Sequence, residues 1–430
     1  MSVFAKATAS RSARAAWTGI AIAGVSALLL TACSTGGTAP EETEEPADTG
    51  DALAVEAGER DLTLKVGTIL PQSGSLAFLG PPEEAGVALA AQDINEADAG
   101  IQVEVVYRDS GDTTTDIATV SVTDLLSQDV SAIVGAASSG VSFTVIDQIT
   151  AAGVVHFSPA NTSPDFTDYE DNGLYFRTAP PDVLQGEVLG NLIAEDGAST
   201  LGLLVLNDPY GTGLAEYTKQ AFEAAGGEVV AEELFNTGDS SFDSQLSSLN
   251  AANPDAIAVI TFDEAKVVVP ALVGSGYPGD QLYFVDGNVA DYSADFAPGL
   301  IAGAKGTLPG IYVGEGDFRE RLLEVDPDLT DFSYAGESYD ALVLIALAAY
   351  AANSTEGTDI GEYLRQVSGG SGGGEKAENF ADAAALLAEG EQVDYDGQSG
   401  PITLDENGDP TEATVSVYQA TENNQFEFLQ

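Results

Sequence analysis

The chain has 430 residues, with 69 Asp plus Glu against 14 Lys plus Arg, so it carries a formal charge of −55 at pH 7, and 44% of its residues are apolar. Nucleic acid is excluded as a partner, because holding phosphates takes a basic stripe that releases counterions. The apolar share is enough to bury a core, and at about 100 to 200 residues per domain the length suggests two or three domains. One Cys and one His exclude an internal disulfide, a His-rich metal site and more than one catalytic triad.

In chain order, Lys6, Arg11 and Arg14 precede an apolar stretch from Ala15 to Leu30, followed by Leu30-Thr31-Ala32-Cys33. This is the layout of a secretory signal ending in small residues, with an apolar run shorter than the roughly 20 residues that span a bilayer. It resembles a bacterial lipobox, and the resemblance implies cleavage after residue 32 and a diacylglyceryl thioether on Cys33. The resemblance thereby also implies that this lipid would anchor the protein to the outer face of the cell membrane. Losing residues 1–32 removes three bases and no acid, leaving 11 bases against the same 69 acids. The stretch from Ser34 to Arg60 holds eight acids, one base, four Gly and two Pro, a composition that cannot offset the entropy of folding. Residues 33–60 are therefore expected to be a disordered acidic tether with a reach of roughly 30 Å.

From Asp61 onward short β-rich runs alternate with helical stretches. Leu62 to Leu70 reads as a strand, Glu83 to Asp98 as a helix closed by Gly100, Ile101 to Asp109 as a strand and Thr113 to Ser127 as its crossover. Further strands are expected at Val130 to Gly135, Val154 to Ser158, Leu201 to Asn207, Glu228 to Phe235, Ala256 to Phe262 and Leu282 to Asp286. Repeated βα units predict parallel sheets covered by helices on both faces, with ligands at the carboxyl ends of the strands. The apolar stretch from Ala341 to Ala352 is too short to cross a bilayer and reads as a core helix.

Catalytic motifs are mostly absent. Gly274-Ser-Gly-Tyr-Pro-Gly279 fits a dinucleotide fingerprint by letters, but it ends a helix instead of following a strand, so it reads as a glycine-rich turn. Asp405, Asn407 and Asp409 imitate the start of a calcium loop, yet Pro410 stands where Gly is needed and Ser416 where the bidentate Glu belongs, so a turn is expected. His156 lies in the apolar run Val154-Val155-His156-Phe157 and reads as a hydrogen-bonded strand residue. No catalytic residue, metal site or cofactor is assigned. A lipid-anchored hydrolase using two carboxylates stays open as an alternative, although 69 acids make any one pair uninformative.

What stands out is a set of small polar residues just after strands. Val134-Gly-Ala-Ala-Ser-Ser-Gly140 passes from strand to helix, and Ser158-Pro-Ala-Asn-Thr-Ser-Pro164 ends the next strand. Orphan amides and a helix dipole suit a carboxylate there. Glu264, just after the strand ending at Phe262, could take an ammonium, so a zwitterion fits between them.

At these residues the chain resembles the leucine/isoleucine/valine-binding type of periplasmic solute-binding proteins of ABC importers. The likeness runs from about Leu62 to Phe428 through VGTILPQSGSLAFLG, VGAASSG, FSPANTSPDFT, FRTAPPD, NDPYGTG, ITFDEAK, ESYDA and SGPITLDENGDP. It implies an α/β fold of type I, with two doubly wound lobes joined by three crossings. Residues 61–180 and 308–396 would form lobe 1, and residues 181–307 and 397–430 lobe 2. It also implies that Ser139, Ala160 and Thr162 hold an α-carboxylate and that Tyr210 comes from the opposite lobe. Glu264 would face the α-ammonium, while Leu79 and Tyr339 line the side-chain pocket. The function implied is capture of a branched-chain or related amino acid by a monomer and its delivery to ABC permease subunits. An amide, urea or aromatic-acid sensor of the same fold is the alternative.

Overall fold

A computed structural model describes residues 52–314 and 316–429. The first sheet is built from β1 (Leu62–Leu70), β2 (Ile101–Asp109), β3 (Ala132–Gly135), β4 (Val155–Ser158) and β5 (Tyr175–Arg177), all parallel in the order β2-β1-β3-β4-β5. Its crossovers are α1 (Gly80–Glu96), α2 (Ile117–Leu126) and α3 (Ser139–Ala151). Strands β3 and β4 are buried along their whole length, as strands covered on both faces must be.

The chain then builds a second lobe from α4 (Asp182–Glu195), β6 (Thr200–Leu206), α5 (Pro209–Ala224), β7 (Glu228–Phe235), α6 (Asp243–Ala252), β8 (Ala256–Ile260), α7 (Ala265–Ser275), β9 (Leu282–Phe284) and β10 (Lys305–Pro309). It returns to the first lobe for α8 (Asp317–Val325), α9 (Ala335–Ala352), α10 (Gly357–Val367), β11 (Glu375–Ala377), α11 (Phe380–Glu389), β12 (Val393–Gly397) and β13 (Gly400–Pro401). It ends on the second lobe with β14 (Val415–Ala420) and β15 (Phe426–Phe428). The second sheet runs β15-β14-β10-β9-β8-β6-β7, parallel from β7 to β10 and antiparallel beyond.

The spine of the first lobe is α9. All but the last of its 18 residues are buried, which makes the apolar run a core helix, as its length predicted. It packs against α1 so closely that the site of a Gly86 side chain is filled by the Ala335 backbone. A methyl group there would push the two helices apart.

Two boundaries differ from the sequence reading. Residues 52–60 are not part of a free tether but lie on the first lobe. Gln366 Nε2 and Gln392 Nε2 donate to the Leu53 carbonyl, Gly58 N donates to Ala388 O at 3.0 Å, and Arg60 Nε donates to Tyr350 O at 2.9 Å with its guanidinium over the Tyr350 ring. Backbone pairing and one buried cation fix a segment whose composition alone looked too polar to fold. The other correction concerns the last crossing. Ile402 and Leu404 belong to the core of lobe 1, and the turn at 405–410 is pinned there by a buried ion pair, Asp409 to Arg177 Nε at 2.6 Å. The chain therefore changes lobes at 411–414, later than 397. Cys33 and the signal region lie outside the described residues.

Candidate functional site

Loops leaving the carboxyl ends of strands in both lobes meet in an interlobe cavity. Lobe 1 supplies Leu76 and Leu79 after β1, Ala137 to Ser139 after β3, Ala160 after β4, and Tyr334 just before α9. Lobe 2 supplies Tyr210 from α5, Phe262 after β8, and Asp286 with Gly287 after β9. The lobes touch directly: Tyr334 OH donates to Asp286 Oδ2 at 2.8 Å, Ser163 Oγ to Pro209 O at 3.0 Å, and Asp263 N to Ser75 O at 3.2 Å. The cavity these residues line has room for about 10 Å³, no more than a single water needs. A guest of amino-acid size requires the lobes to part.

The wall from lobe 1 carries donors and no charged side chain. Ser138 caps α3 with its Oγ accepting from Val141 N, and Ser139 Oγ accepts from Ser163 N at 3.2 Å. The first amides of α3 have no partner inside the helix, and its dipole adds positive potential at this end. The loops behind are braced. Asn161 Nδ2 donates to Ala136 O and Ala137 O, and Arg177 Nη1 donates to Asn161 O and Ser163 O. His156 Nε2 is 2.7 Å from Gly135 O, and burial lowers its pKa to about 4, so it is a neutral strand residue as its sequence context predicted.

The wall from lobe 2 is acidic. Asp286, 5% exposed, accepts from Tyr210 OH at 2.6 Å and Gln185 Nε2 at 3.1 Å on Oδ1, and from Tyr334 OH on Oδ2. Burial pushes its carboxyl up, and these donors pull it back toward the charged form. Asp182 lies behind it, fully buried, with neither carboxyl oxygen hydrogen-bonded to a defined donor. Burial first, then the neighbouring Asp286, raise its pKa well above the usual carboxylate range. Two adjacent buried carboxyls cannot both ionise cheaply, and the three donors on Asp286 favour the charge there over Asp182.

The structure thus brings Ser139, Ala160, Tyr210 and Leu79 to the cavity. Thr162 stands behind the wall: its carbonyl accepts from Asp182 N at 2.7 Å, and it does not line the cavity. Glu264 turns to its own backbone surroundings, accepting from Gly238 N at 3.1 Å and Phe262 N at 3.2 Å. It sits just before α7, where local amides capture its carboxylate. Tyr339 packs into lobe 1 with its hydroxyl on Asp93 Oδ2 at 2.6 Å. It is five residues beyond Tyr334, so a 3.6-residue period turns it to another face of the helix. Sequence reading missed Asp286 and Tyr334. The available signal was an acid closing the run Leu282 to Asp286 at the carboxyl end of a strand.

The periplasmic binding protein family model matches residues 63–425. Among curated relatives, the chemotactic signal transduction system substrate-binding protein BasB of Halobacterium salinarum is 27% identical over 352 residues, covering 79% of this chain and 83% of the relative. The Leu/Ile/Val-binding protein homolog 1 of Brucella abortus is 27% identical over 310 residues, covering 70% and 82%. Among solved structures, the branched-chain amino acid transporter substrate-binding protein LivJ of Streptococcus pneumoniae, in complex with isoleucine, has a TM-score of 0.68 at 24% identity. The alignment covers 85% of this chain and 100% of that one, a likeness of fold. With this match across nearly all the described residues, the chain belongs to the periplasmic binding protein family.

Proposed function

We propose that this chain is the solute-binding component of an ABC importer and encloses an α-amino acid between its lobes. The observation that carries this reading is the opposition of Asp286 on one lobe to an uncharged wall of amides and hydroxyls on the other. The α-ammonium goes to Asp286, framed by Tyr210 and Tyr334. The α-carboxylate goes to Ser139, the backbone at Ala160 and the first turn of α3, with Thr162 steadying that loop from behind. Leu76, Leu79 and Phe262 supply the apolar surface for a side chain. Glu264 and Tyr339 act one layer out, holding loop 262–264 and helix α9.

Only a ligand that touches both walls favours closure, because differential affinity alone shifts such an equilibrium. The Brucella relative is a Leu/Ile/Val-binding protein homolog and the Streptococcus structure holds isoleucine, which puts branched-chain amino acids among the candidate guests. Cys33 anchors the chain through its lipid, and the closed, loaded form docks on the permease. The BasB relative supports a second destination for the loaded form, a chemotactic transducer. The test is calorimetric titration with leucine, isoleucine, valine, amides, urea and aromatic acids. Tight, saturable binding of an amino acid without product is expected, and a Kd near 1 μM corresponds to about 8 kcal/mol. Turnover of any of these compounds, or no binding of amino acids, ends the reading.

A further inference from the structure

Beside the narrow interlobe cavity lies a chamber of about 580 Å³, formed by both lobes and sharing Phe262, Gly287 and Tyr334 with it. Among the described residues five acids line this chamber: Asp263 pairs with Lys266, Asp291 accepts from Gln425 Nε2 and Ser293 N, Asp331 accepts from Ser333 N, Glu427 is exposed, and the fifth is Glu337. Glu337, 6% exposed, lies in the first turn of α9, three residues beyond Tyr334, and its carboxyl fills the place where Gly310 would carry a side chain. Gly310 has φ +98°, so a glycine suits both the backbone and the approach. No salt bridge reaches Glu337 among the described residues, and its carboxyl accepts no side-chain hydrogen bond. The groups around it offer no positive charge. Glu83 on α1 is fully buried with both oxygens unpartnered, Asp340 is a turn further along α9, and Tyr334 and Tyr418 are neutral phenols. The chamber's cations are engaged elsewhere: Lys266 pairs with Asp263 at 2.6 Å, and Arg319 stacks 4.0 Å from the Phe332 centroid and donates to Gly314 O.

A nearly buried acid that no side chain pairs or hydrogen-bonds, walled by Phe78, Phe332, Tyr334 and Tyr418, is a receptor for an organic cation. We propose that this chamber receives the charged end of a long side chain, so that the preferred ligand is an amino acid ending in an ammonium or guanidinium group, with its α-ammonium on Asp286 and its terminal cation on Glu337. The inference rests on the amino-acid reading of the interlobe site. The path is continuous, since Tyr334 lines both the narrow cavity and the chamber and its hydroxyl donates to Asp286, so a lysine or arginine stem leaving Asp286 runs along this ring.

Binding is then linked to a proton. Burial, with help from Asp340, raises the Glu337 carboxyl to about 8, so it is protonated at pH 7 and an arriving cation must expel that proton. Affinity for such a ligand rises by up to about tenfold per pH unit between pH 6 and 8 and levels above that.

The experiment is calorimetric titration of the full chain with L-lysine, L-arginine and L-leucine at pH 7, in two buffers of different ionisation heat. Lysine or arginine is expected to bind at least about tenfold more tightly than leucine, the size of a desolvated cation–aromatic contact, and to release close to one proton while leucine releases none. Glu337→Gln is expected to abolish the proton release and the preference. Leucine binding as tightly as the basic amino acids, or release of the same number of protons by both, overturns the proposal while leaving the amino-acid reading intact. No binding of any of the three overturns both. The proton count on the unaltered chain decides the matter even if the variant does not fold.

Discussion

The two walls of the interlobe cavity solve opposite electrostatic problems with different means. Lobe 1 presents backbone amides and hydroxyls at a helix end, a site whose attraction for anions is spread over many groups and braced from behind by Arg177 and Asn161. Lobe 2 concentrates its attraction for cations in one carboxylate, Asp286, held by three donors. The distributed wall should tolerate the loss of one donor but not of its brace. The concentrated wall should fail with one atom group.

The largest expected effect tests the brace. Arg177→Leu leaves Asp409 buried without its partner and releases the Asn161 and Ser163 carbonyls, so unfolding free energy in denaturant titration should fall by about 3 to 5 kcal/mol. A loss under 1 kcal/mol would show that the brace is not structural. Next, Asp286→Ala should reduce amino-acid affinity by about 2 to 5 kcal/mol in calorimetry, since the ligand ammonium is then enclosed without a counter-charge. Glu264→Gln, by contrast, should change affinity by less than about 1 kcal/mol, because its carboxylate serves backbone amides outside the cavity.

The fourth test concerns pH. The His156 pKa falls from 6.5 to about 4 on folding, so the imidazole is buried in its neutral form. Below pH 6.5 the unfolded chain takes up a proton that the folded chain refuses until about pH 4. Stability from His156 is therefore present above 6.5 and lost as the pH falls through that window. The stability advantage of the native chain over His156→Gln should shrink by up to about 3 kcal/mol between pH 6.5 and 4. Comparing with that variant cancels Glu337 and Asp208, whose raised pKa values act in the opposite direction. Ser139→Ala is expected to cost about 1 kcal/mol of ligand affinity, one hydrogen bond among several.

The same contrast explains what could be read from the sequence. A distributed anion site leaves a local signature, strand then Gly, Ser and Thr then helix, and the loops at 135–140 and 158–164 were legible for that reason. The alternation of βα units likewise revealed the doubly wound sheets. A concentrated acid leaves no signature in a chain with 69 of them, because burial and three converging donors, not the letter, distinguish Asp286 from Glu264. Tyr334 was hidden because it stands outside the regular helix, at φ +59°, where neither periodicity nor motif spacing applies. The turn at 405–410 looked like a hairpin and is one, but its assignment to lobe 1 depends on Arg177, 232 residues away in sequence, a separation no local pattern reports.

The docking of residues 52–60 also decides how the molecule bears load. Leu53, Ala54, Gly58 and Arg60 are stitched to α9, α10, α11 and the approach to β12 on the first lobe. Tension arriving through the N-terminus is therefore spent on that one body, and the contact from Tyr334 to Asp286 across the cleft feels none of it.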